Sequence, residues 1–233
     1  MARRDGRFIA APMGASLIAT ELACRRGERL LFRGLSLALG PGEAAHVTGA
    51  NGIGKSSLIR VLAGLLQPFS GAVERSGAIG LLDERHALDG AVPLHTALGF
   101  WRELDHAGEA LDRVGLYQLT DVPVRYLSTG QKKRAALARL LGQGAPIWLL
   151  DEPLNGLDSG GVELVERLIA GHLSSGGIAV IASHQPLASN ATELPLADYS
   201  PSPSGEGAGG RGLSASLRPH IPRPNPSPEG EGL

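Results

Sequence analysis

The sequence is poor in cysteine, in long apolar runs and in charge of one sign. Its single cysteine, Cys24, among 233 residues excludes a disulfide framework or a multi-cysteine metal site, and fits a reducing compartment. No run approaches the roughly 18–20 uninterrupted apolar residues of a membrane span. Lys and Arg (22) nearly balance Asp and Glu (23), whereas dedicated nucleic-acid binders usually carry a basic excess. We therefore expect a protein that is soluble or is held at a membrane by a partner.

Both ends of the chain are predicted to be disordered. In residues 1–15, arginines precede a short apolar stretch, but Pro12 interrupts it and no convincing cleavage site follows, so the pattern does not indicate a secretory signal. Residues 201–233 hold seven of the 16 prolines and almost no bulky apolar residues. Such segments cannot offset the entropy cost of ordering. We predict that residues 188–233 form a disordered tail.

Between these ends, short apolar runs alternate with helical patterns. The runs expected to be strands are 44–48, 147–150 and 178–182, and the last two are apolar throughout, as in strands buried on both faces. The predicted helices are 55–66, 129–141 and 162–173. Helices between apolar strands predict an α/β fold with a largely parallel sheet. Residues 17–39 are expected to form a small antiparallel layer, and residues 94–140 a mostly helical insertion beside the sheet.

One loop carries a phosphate-binding pattern. Residues 49–56 match G-x-x-x-x-G-K-S between a predicted strand and a predicted helix, which a chance glycine-rich turn does not explain. The glycines let backbone N–H groups point at phosphate oxygens, and the helix N-terminus adds its positive end. Lys55 supplies a charge to the β- and γ-phosphates, and the Ser56 hydroxyl can ligate Mg²⁺. The expected ATP-binding residues here are Gly49, Ala50, Asn51, Gly52, Ile53, Gly54, Lys55, Ser56 and Ser57.

A pair of acids follows the apolar run at 147–150. Ligands bind at the carboxyl ends of strands in open α/β sheets, which is where this pair falls. Asp151 is expected to hold Mg²⁺ through water, and Glu152 to polarise the water that attacks the γ-phosphate. The alternative, that both carboxylates only cap the turn at Pro153, is weak beside a phosphate loop.

A third motif precedes the second predicted helix. Its residues are Leu127, Ser128, Thr129, Gly130 and Gln131. The motif resembles the signature sequence of ATP-binding cassette (ABC) proteins, in which Gly replaces Thr129 in the commonest form. Ser128 and the Gly130 N–H at a helix N-terminus make an anion site, whereas a plain N-cap would explain Ser128 alone. In that family the site faces the γ-phosphate of ATP held by a second subunit.

The resemblance extends over residues 17–187. Asp158 resembles the family's D-loop aspartate, and His184 lies where ABC proteins place a switch histidine, so the resemblance implies that Glu152 and His184 are catalytic. It implies an ABC domain over 16–187, with its helical subdomain over about 94–140. Within the family, the chain is similar to the ATP-binding subunits of haem exporters for c-type cytochrome biogenesis. The segments that carry this narrower similarity are 30–37, 47–49, 150–158 and 183–187.

Two positions depart from the family pattern. Many ABC proteins stack an aromatic residue on adenine, and here Arg26 or Arg25 would take that place, since a guanidinium can stack on a base. The family's loop glutamine, which reaches Mg²⁺ and contacts the membrane partner, is absent, and Arg85 occupies the corresponding stretch. The sequence therefore leaves open how adenine is held and how this loop couples to a partner.

The resemblance implies an ATPase in which two copies close on two ATP molecules and energise an integral membrane subunit from the cytoplasmic face of the inner membrane. Haem-related cargo is implied, without nucleic acid and without a direct haem ligand in this chain. The histidines not assigned as haem ligands are His46, His86, His95 and His106. A soluble ABC ATPase of translation or DNA repair is an alternative, but such proteins usually show two cassettes or a long coiled-coil insertion. A third hypothesis is a nucleotide-gated module that hydrolyses little ATP.

Overall fold

The protein, seen here as a computed structural model, is described over residues 14–83, 88–105, 110–187 and 190–201. Its strands form two sheets. A three-stranded antiparallel sheet has the order β2-β1-β4, and a five-stranded parallel sheet has the order β5-β6-β7-β3-β8. The strands are β1 (Ser16–Arg26), β2 (Arg29–Leu39), β3 (Ala44–Thr48), β4 (Ser70–Ser76), β5 (Ile79–Leu82), β6 (Ile147–Asp151), β7 (Ile178–Ala182) and β8 (Thr192–Pro195).

The helices lie between these strands, as an α/β fold requires. They are α1 (Lys55–Leu62), α2 (Leu94–Asp105), α3 (Ala110–Arg113), α4 (Thr129–Gly142) and α5 (Ser159–Ser174). The predicted fold class is confirmed: the parallel sheet, the small antiparallel sheet and the helical insertion are all present. No helix in the described ranges has the length and apolar character that crossing a membrane would need.

The parallel sheet separates two apolar cores. Every residue of β6 and β7 is buried, as expected for strands covered on both faces. Leu149 packs in the core shared with α1 and the antiparallel sheet, whereas Leu150, one residue on, packs in the core shared with α4 and α5. Side chains alternate across a strand, so β6 anchors both layers and fixes the position of the residues that follow it.

The structure shortens the first predicted helix. We expected it to reach residue 66, but α1 ends at Leu62. Gly64 adopts φ +78°, a left-handed conformation that ends helices, and the N–H of Leu65 donates to the Arg60 carbonyl oxygen (2.9 Å). The last turn is therefore closed, and Leu65 is exposed.

The predicted start of the disordered tail is wrong for residues 190–201. Strand β8 pairs with β3 in parallel register, His46 opposite Glu193 and Val47 opposite Leu194. Leu194 and Leu196 are buried in the same core as α1. Burying two leucines at the sheet edge offsets the entropy of ordering this short segment. The remaining predicted termini, residues 1–13 and 202–233, lie outside the described residues.

Candidate nucleotide-binding site

The phosphate-loop residues connect β3 to α1. Gly54 precedes α1 with φ +125°. Because glycine has no side chain, it does not cap the first N–H groups of the helix. A Cβ added at Gly54 would lie 3.3 Å from the Leu31 Cβ and from the Phe32 Cδ1. Both the backbone conformation and the close approach of β2 therefore favour glycine here. The loop places the positive end of α1 at the carboxyl edge of the parallel sheet.

A cleft of about 450 Å³ opens over this loop. Its lining combines the loop with groups from β1, the β2 strand and the segments after β6 and β7. The lining residues are Arg26, Leu31, Asn51, Gly52, Gly54, Lys55, Ser56, Ser57, Arg60, Glu152, Asn155 and His184. The structure thus brings six of the nine predicted loop residues, both predicted catalytic residues and Arg26 into one cavity. Asn155 and Arg60 also line it, although sequence reasoning did not assign them; Asn155 follows the acid pair by three residues, which was the available signal.

The Glu152 carboxylate lies between two basic side chains. Its Oε1 is 3.4 Å from the Lys55 Nζ, and its Oε2 is 3.0 Å from the His184 Nδ1. Lys55 and Glu152 are both buried, whereas the His184 side chain is about half exposed (47%). A carboxylate accepts hydrogen bonds, so this contact places the proton of a neutral His184 on Nδ1. Glu152 is therefore held between the phosphate loop, through its Oε1, and the segment after β7, through its Oε2.

Lys55 is held at the centre of the loop. Its ammonium donates to the Gly49 carbonyl oxygen at 2.8 Å, in addition to its ion pair with Glu152. Together with the N-terminus of α1, this ammonium makes the loop attractive to an anion. A phosphate group is the ligand that such an arrangement of N–H groups and one lysine suits.

Two residues are predicted to give oxygen ligands to magnesium, and only one of them, Ser56, is among the residues that line the cleft. Ser56 is in the first turn of α1 and lines the cleft. Asp151 is the last residue of β6 and is 4% exposed. Hydroxyl and carboxylate oxygens suit Mg²⁺, which usually keeps waters and phosphate oxygens as its other ligands. Within the described residues no group of three or more His, Cys, Asp or Glu is placed to hold a metal.

The predicted signature residues begin α4. Ser128 is the N-cap: its Oγ accepts from the Gln131 N–H (3.2 Å), and its own N–H donates to the Gln131 Oε1 (2.8 Å). This reciprocal pair is a capping box. The residues found to line the cleft include none of the five signature residues. Within one chain, the structure therefore keeps the signature apart from the phosphate loop.

The remaining predicted residues have local partners. The Asp158 carboxylate accepts from the Gly161 N–H at 2.8 Å and caps α5, which accounts for this helix starting three residues earlier than predicted. The structure separates the two arginines considered for adenine: Arg26 lines the cleft, whereas Arg25 lies over the Phe69 ring at 5.0 Å. Arg85 lies outside the described residues.

Comparison with known proteins identifies the family of the chain. The model of the ABC transporter family matches residues 32–155. Of solved structures, cbiO1 from Clostridium perfringens, part of the ABC transporter complex cbiONQ, is similar at 28% identity and a TM-score of 0.61, over 72% of this chain and 78% of that one. A phosphate loop followed by an acid pair on a parallel sheet is the arrangement of a P-loop nucleoside triphosphatase. The chain belongs to the ABC transporter family, which makes it an ATPase.

Two curated relatives carry a more specific name. "Cytochrome c biogenesis ATP-binding export protein CcmA" of Novosphingobium aromaticivorans is 64% identical over 74% of this chain and 90% of its own length. The protein of the same name from Sphingopyxis alaskensis is 52% identical over 76% of this chain and 93% of its own length. The predicted family resemblance, including its narrower part, is confirmed, and a soluble ATPase of translation or DNA repair is not favoured.

Proposed function

We propose that this chain is the ATP-hydrolysing subunit of a haem exporter for c-type cytochrome biogenesis. The names of its relatives, which give cytochrome c biogenesis and export, support the process, and haem is the cargo that the sequence resemblance implies. Because the chain would then act on an integral membrane partner, we propose that it lies peripherally at the cytoplasmic face of the inner membrane. The partner would carry the cargo, and no direct haem ligand is proposed in this chain.

The proposal that the chain hydrolyses ATP rests on the position of Glu152. Its carboxylate lies between Lys55 (3.4 Å) and His184 (3.0 Å) in the phosphate-loop cleft. The loop N–H groups and Lys55 bind the β- and γ-phosphates. Ser56, and Asp151 through water, would hold magnesium, which would neutralise charge on those phosphates. Glu152 accepts a proton from the attacking water as its general base, and the imidazole of His184 holds the Glu152 carboxylate in line. Arg26 stacks on the base from the rim of the cleft.

A second copy of the chain completes the site in this proposal. Ser128 and the Gly130 N–H lie at the N-terminus of α4, a natural anion site, yet the cleft's lining does not include them. They would therefore serve ATP bound by the other copy, with Asp158 at the seam. Closure then depends on the γ-phosphate, and hydrolysis separates the two copies.

Two substitutions test the proposed roles. Glu152→Gln keeps the shape of the side chain but removes the base, so steady-state hydrolysis should be lost while ATP binding is kept. Lys55→Ala removes the charge on the phosphates, so ATP affinity itself should fall. Phosphate release and equilibrium binding of a fluorescent ATP analogue measure the two effects. Normal turnover in Glu152→Gln, or unchanged affinity in Lys55→Ala, would contradict the assigned roles. A purified wild-type protein that binds ATP but does not turn it over would favour the nucleotide-gated module.

The proposed partner is tested by affinity purification from detergent-solubilised membranes. We expect an integral membrane protein to be retained together with the tagged chain, and haem to stimulate the ATPase activity of that complex. Retention of ribosomes or of a DNA-repair complex would instead support the soluble alternative. Lys55→Ala is the matched control, because haem should not stimulate ATPase activity in a complex whose chain binds ATP weakly.

A further inference from the structure

Lys133 is a buried lysine on the helix that begins with the signature. It is 6% exposed. Its ammonium donates to the carbonyl oxygens of Glu152 (2.6 Å) and Asn155 (2.8 Å). Lysine is almost never buried unless it is paired, because its charge is costly to remove from water. The two carbonyls belong to the turn that carries the proposed general base, so this lysine joins α4 directly to that turn.

The backbone of Glu152 is the part of the turn that needs support. Its φ of +48° lies in the left-handed region, which non-glycine residues rarely adopt without a surrounding structure that enforces it. On one side, the Glu152 N–H donates to the Ala182 carbonyl oxygen of β7 at 2.8 Å. On the other side, the Glu152 carbonyl oxygen accepts from Lys133. The residue is thus fixed from the sheet and from α4 at once.

The same helix carries the signature at its first turn. Ser128 caps α4, and Lys133 lies five positions further along the same helix. A Cβ at Gly130 would lie 3.3 Å from the Gly156 carbonyl oxygen, so the first turn also packs on the segment that follows Glu152. Helix and turn therefore form a contiguous unit.

We propose that Lys133 is a positioning residue for ATP hydrolysis, which couples the placement of the signature helix to the orientation of the Glu152 carboxylate. This proposal rests on the proposed role of Glu152 as general base. When a second copy's ATP engages the N-terminus of α4, the ammonium of Lys133 holds the turn so that Glu152 faces the attacking water. ATP binding by the phosphate loop does not depend on this link.

The test compares substitutions of two neighbouring lysines. Lys133→Met keeps a long side chain but removes its donors, and Lys133→Arg restores a charged donor. Lys132→Met is the matched control, because the Lys132 ammonium has an exposed contact with the Arg125 carbonyl oxygen (3.3 Å). We expect Lys133→Met to lower kcat about tenfold or more with KM for ATP changed by less than about twofold, Lys133→Arg to recover part of kcat, and Lys132→Met to match the wild type.

A double-mutant cycle separates positioning from a purely structural role. If Lys133 acts through Glu152, Lys133→Met should have no further effect on single-turnover hydrolysis in a Glu152→Gln background. An undiminished tenfold loss in that background would overturn the proposal, as would unchanged kcat in Lys133→Met. Normal turnover in Glu152→Gln alone would instead contradict the proposed function. Should Lys133→Met fail to give folded protein, Lys133→Gln, which keeps a donor without the charge, enters the same cycle with the same criteria.

Discussion

Protonation of His172 should destabilise the fold. The imidazole lies on α5 and stacks on the Trp148 indole, with ring centroids 3.9 Å apart and planes inclined by 7°. Its Nε2 is 3.1 Å from the Ile178 carbonyl oxygen, so neutral His172 donates there. Burial lowers the pKa of His172 to about 4, although hydrogen bonds to the Ile178 and Pro146 carbonyls act in the opposite direction. The folded protein therefore keeps this ring neutral where an unfolded chain would protonate it.

The size of the effect follows from linkage. An unfolded histidine takes up its proton near pH 6.5, but the folded one does so near pH 4. The contribution to the free energy of unfolding is full above pH 6.5 and is lost as the pH falls toward 4. At about 1.4 kcal/mol for each pH unit, the loss is about 3 kcal/mol. Below pH 4 both states are protonated and this contribution changes no further.

Urea unfolding followed by circular dichroism, at several pH values between 7 and 4, measures this loss. His172→Phe is the comparison, because phenylalanine keeps a ring against Trp148 but cannot be protonated. Removing the donor to Ile178 costs about 1 kcal/mol at every pH. The free energy of unfolding of His172→Phe should therefore be lower than that of the wild type at pH 7, and should fall less between pH 7 and pH 4. Burial also lowers the pKa of His46, but both proteins share that residue and its effect cancels from the difference. Parallel stability curves from pH 7 to 4 would refute this account of His172.

Three further predictions concern stability. Gly177→Ala would place a Cβ against the His172 ring. We expect this overpacking to lower the free energy of unfolding by roughly 1–3 kcal/mol. An unchanged melting temperature would show that the ring is not fixed. Truncation after residue 189 removes buried Leu194 and Leu196 and should cost roughly 3–6 kcal/mol. Truncation after residue 201 should leave the melting temperature unchanged, and equal effects of the two truncations would contradict the packing of β8. Ser128→Ala should cost about 1 kcal/mol by removing the α4 N-cap, measured by urea unfolding; no change would argue against the capping box.

The parts of the fold that the sequence predicts are those with a strong local pattern. Strands β6 and β7 are apolar throughout because both faces are covered, and α4 has a cap and an apolar face. Strand β4 was missed because nearly all its residues are exposed, with Val73 half-buried, so no alternation marks it. Strand β8 was missed because its four residues bury only Leu194, and only the register with β3 makes it a strand.

The candidate site divides in the same way. The phosphate loop and the acid pair follow predicted strands, and β3, β7 and β6 are neighbours in the sheet. Carboxyl ends of parallel strands meet at one edge, which explains why the structure brings these groups together. The burial of Lys133 was not predicted from the sequence. Lys133 stands between Lys132 and Arg134, and such a run of basic residues is typical of a solvated helix face. Its burial depends on how α4 packs against the turn after β6, which no local pattern records.

In the proposed mechanism, two copies of the chain enclose the nucleotide between them. Light scattering of the Glu152→Gln protein with saturating Mg²⁺ and ATP measures whether this dimer forms. We predict a mass twice that of the 24.1 kDa chain, falling back to the single-chain mass when Ser128→Ala is added. A Glu152→Gln protein that binds ATP yet keeps the single-chain mass at every concentration would contradict the claim.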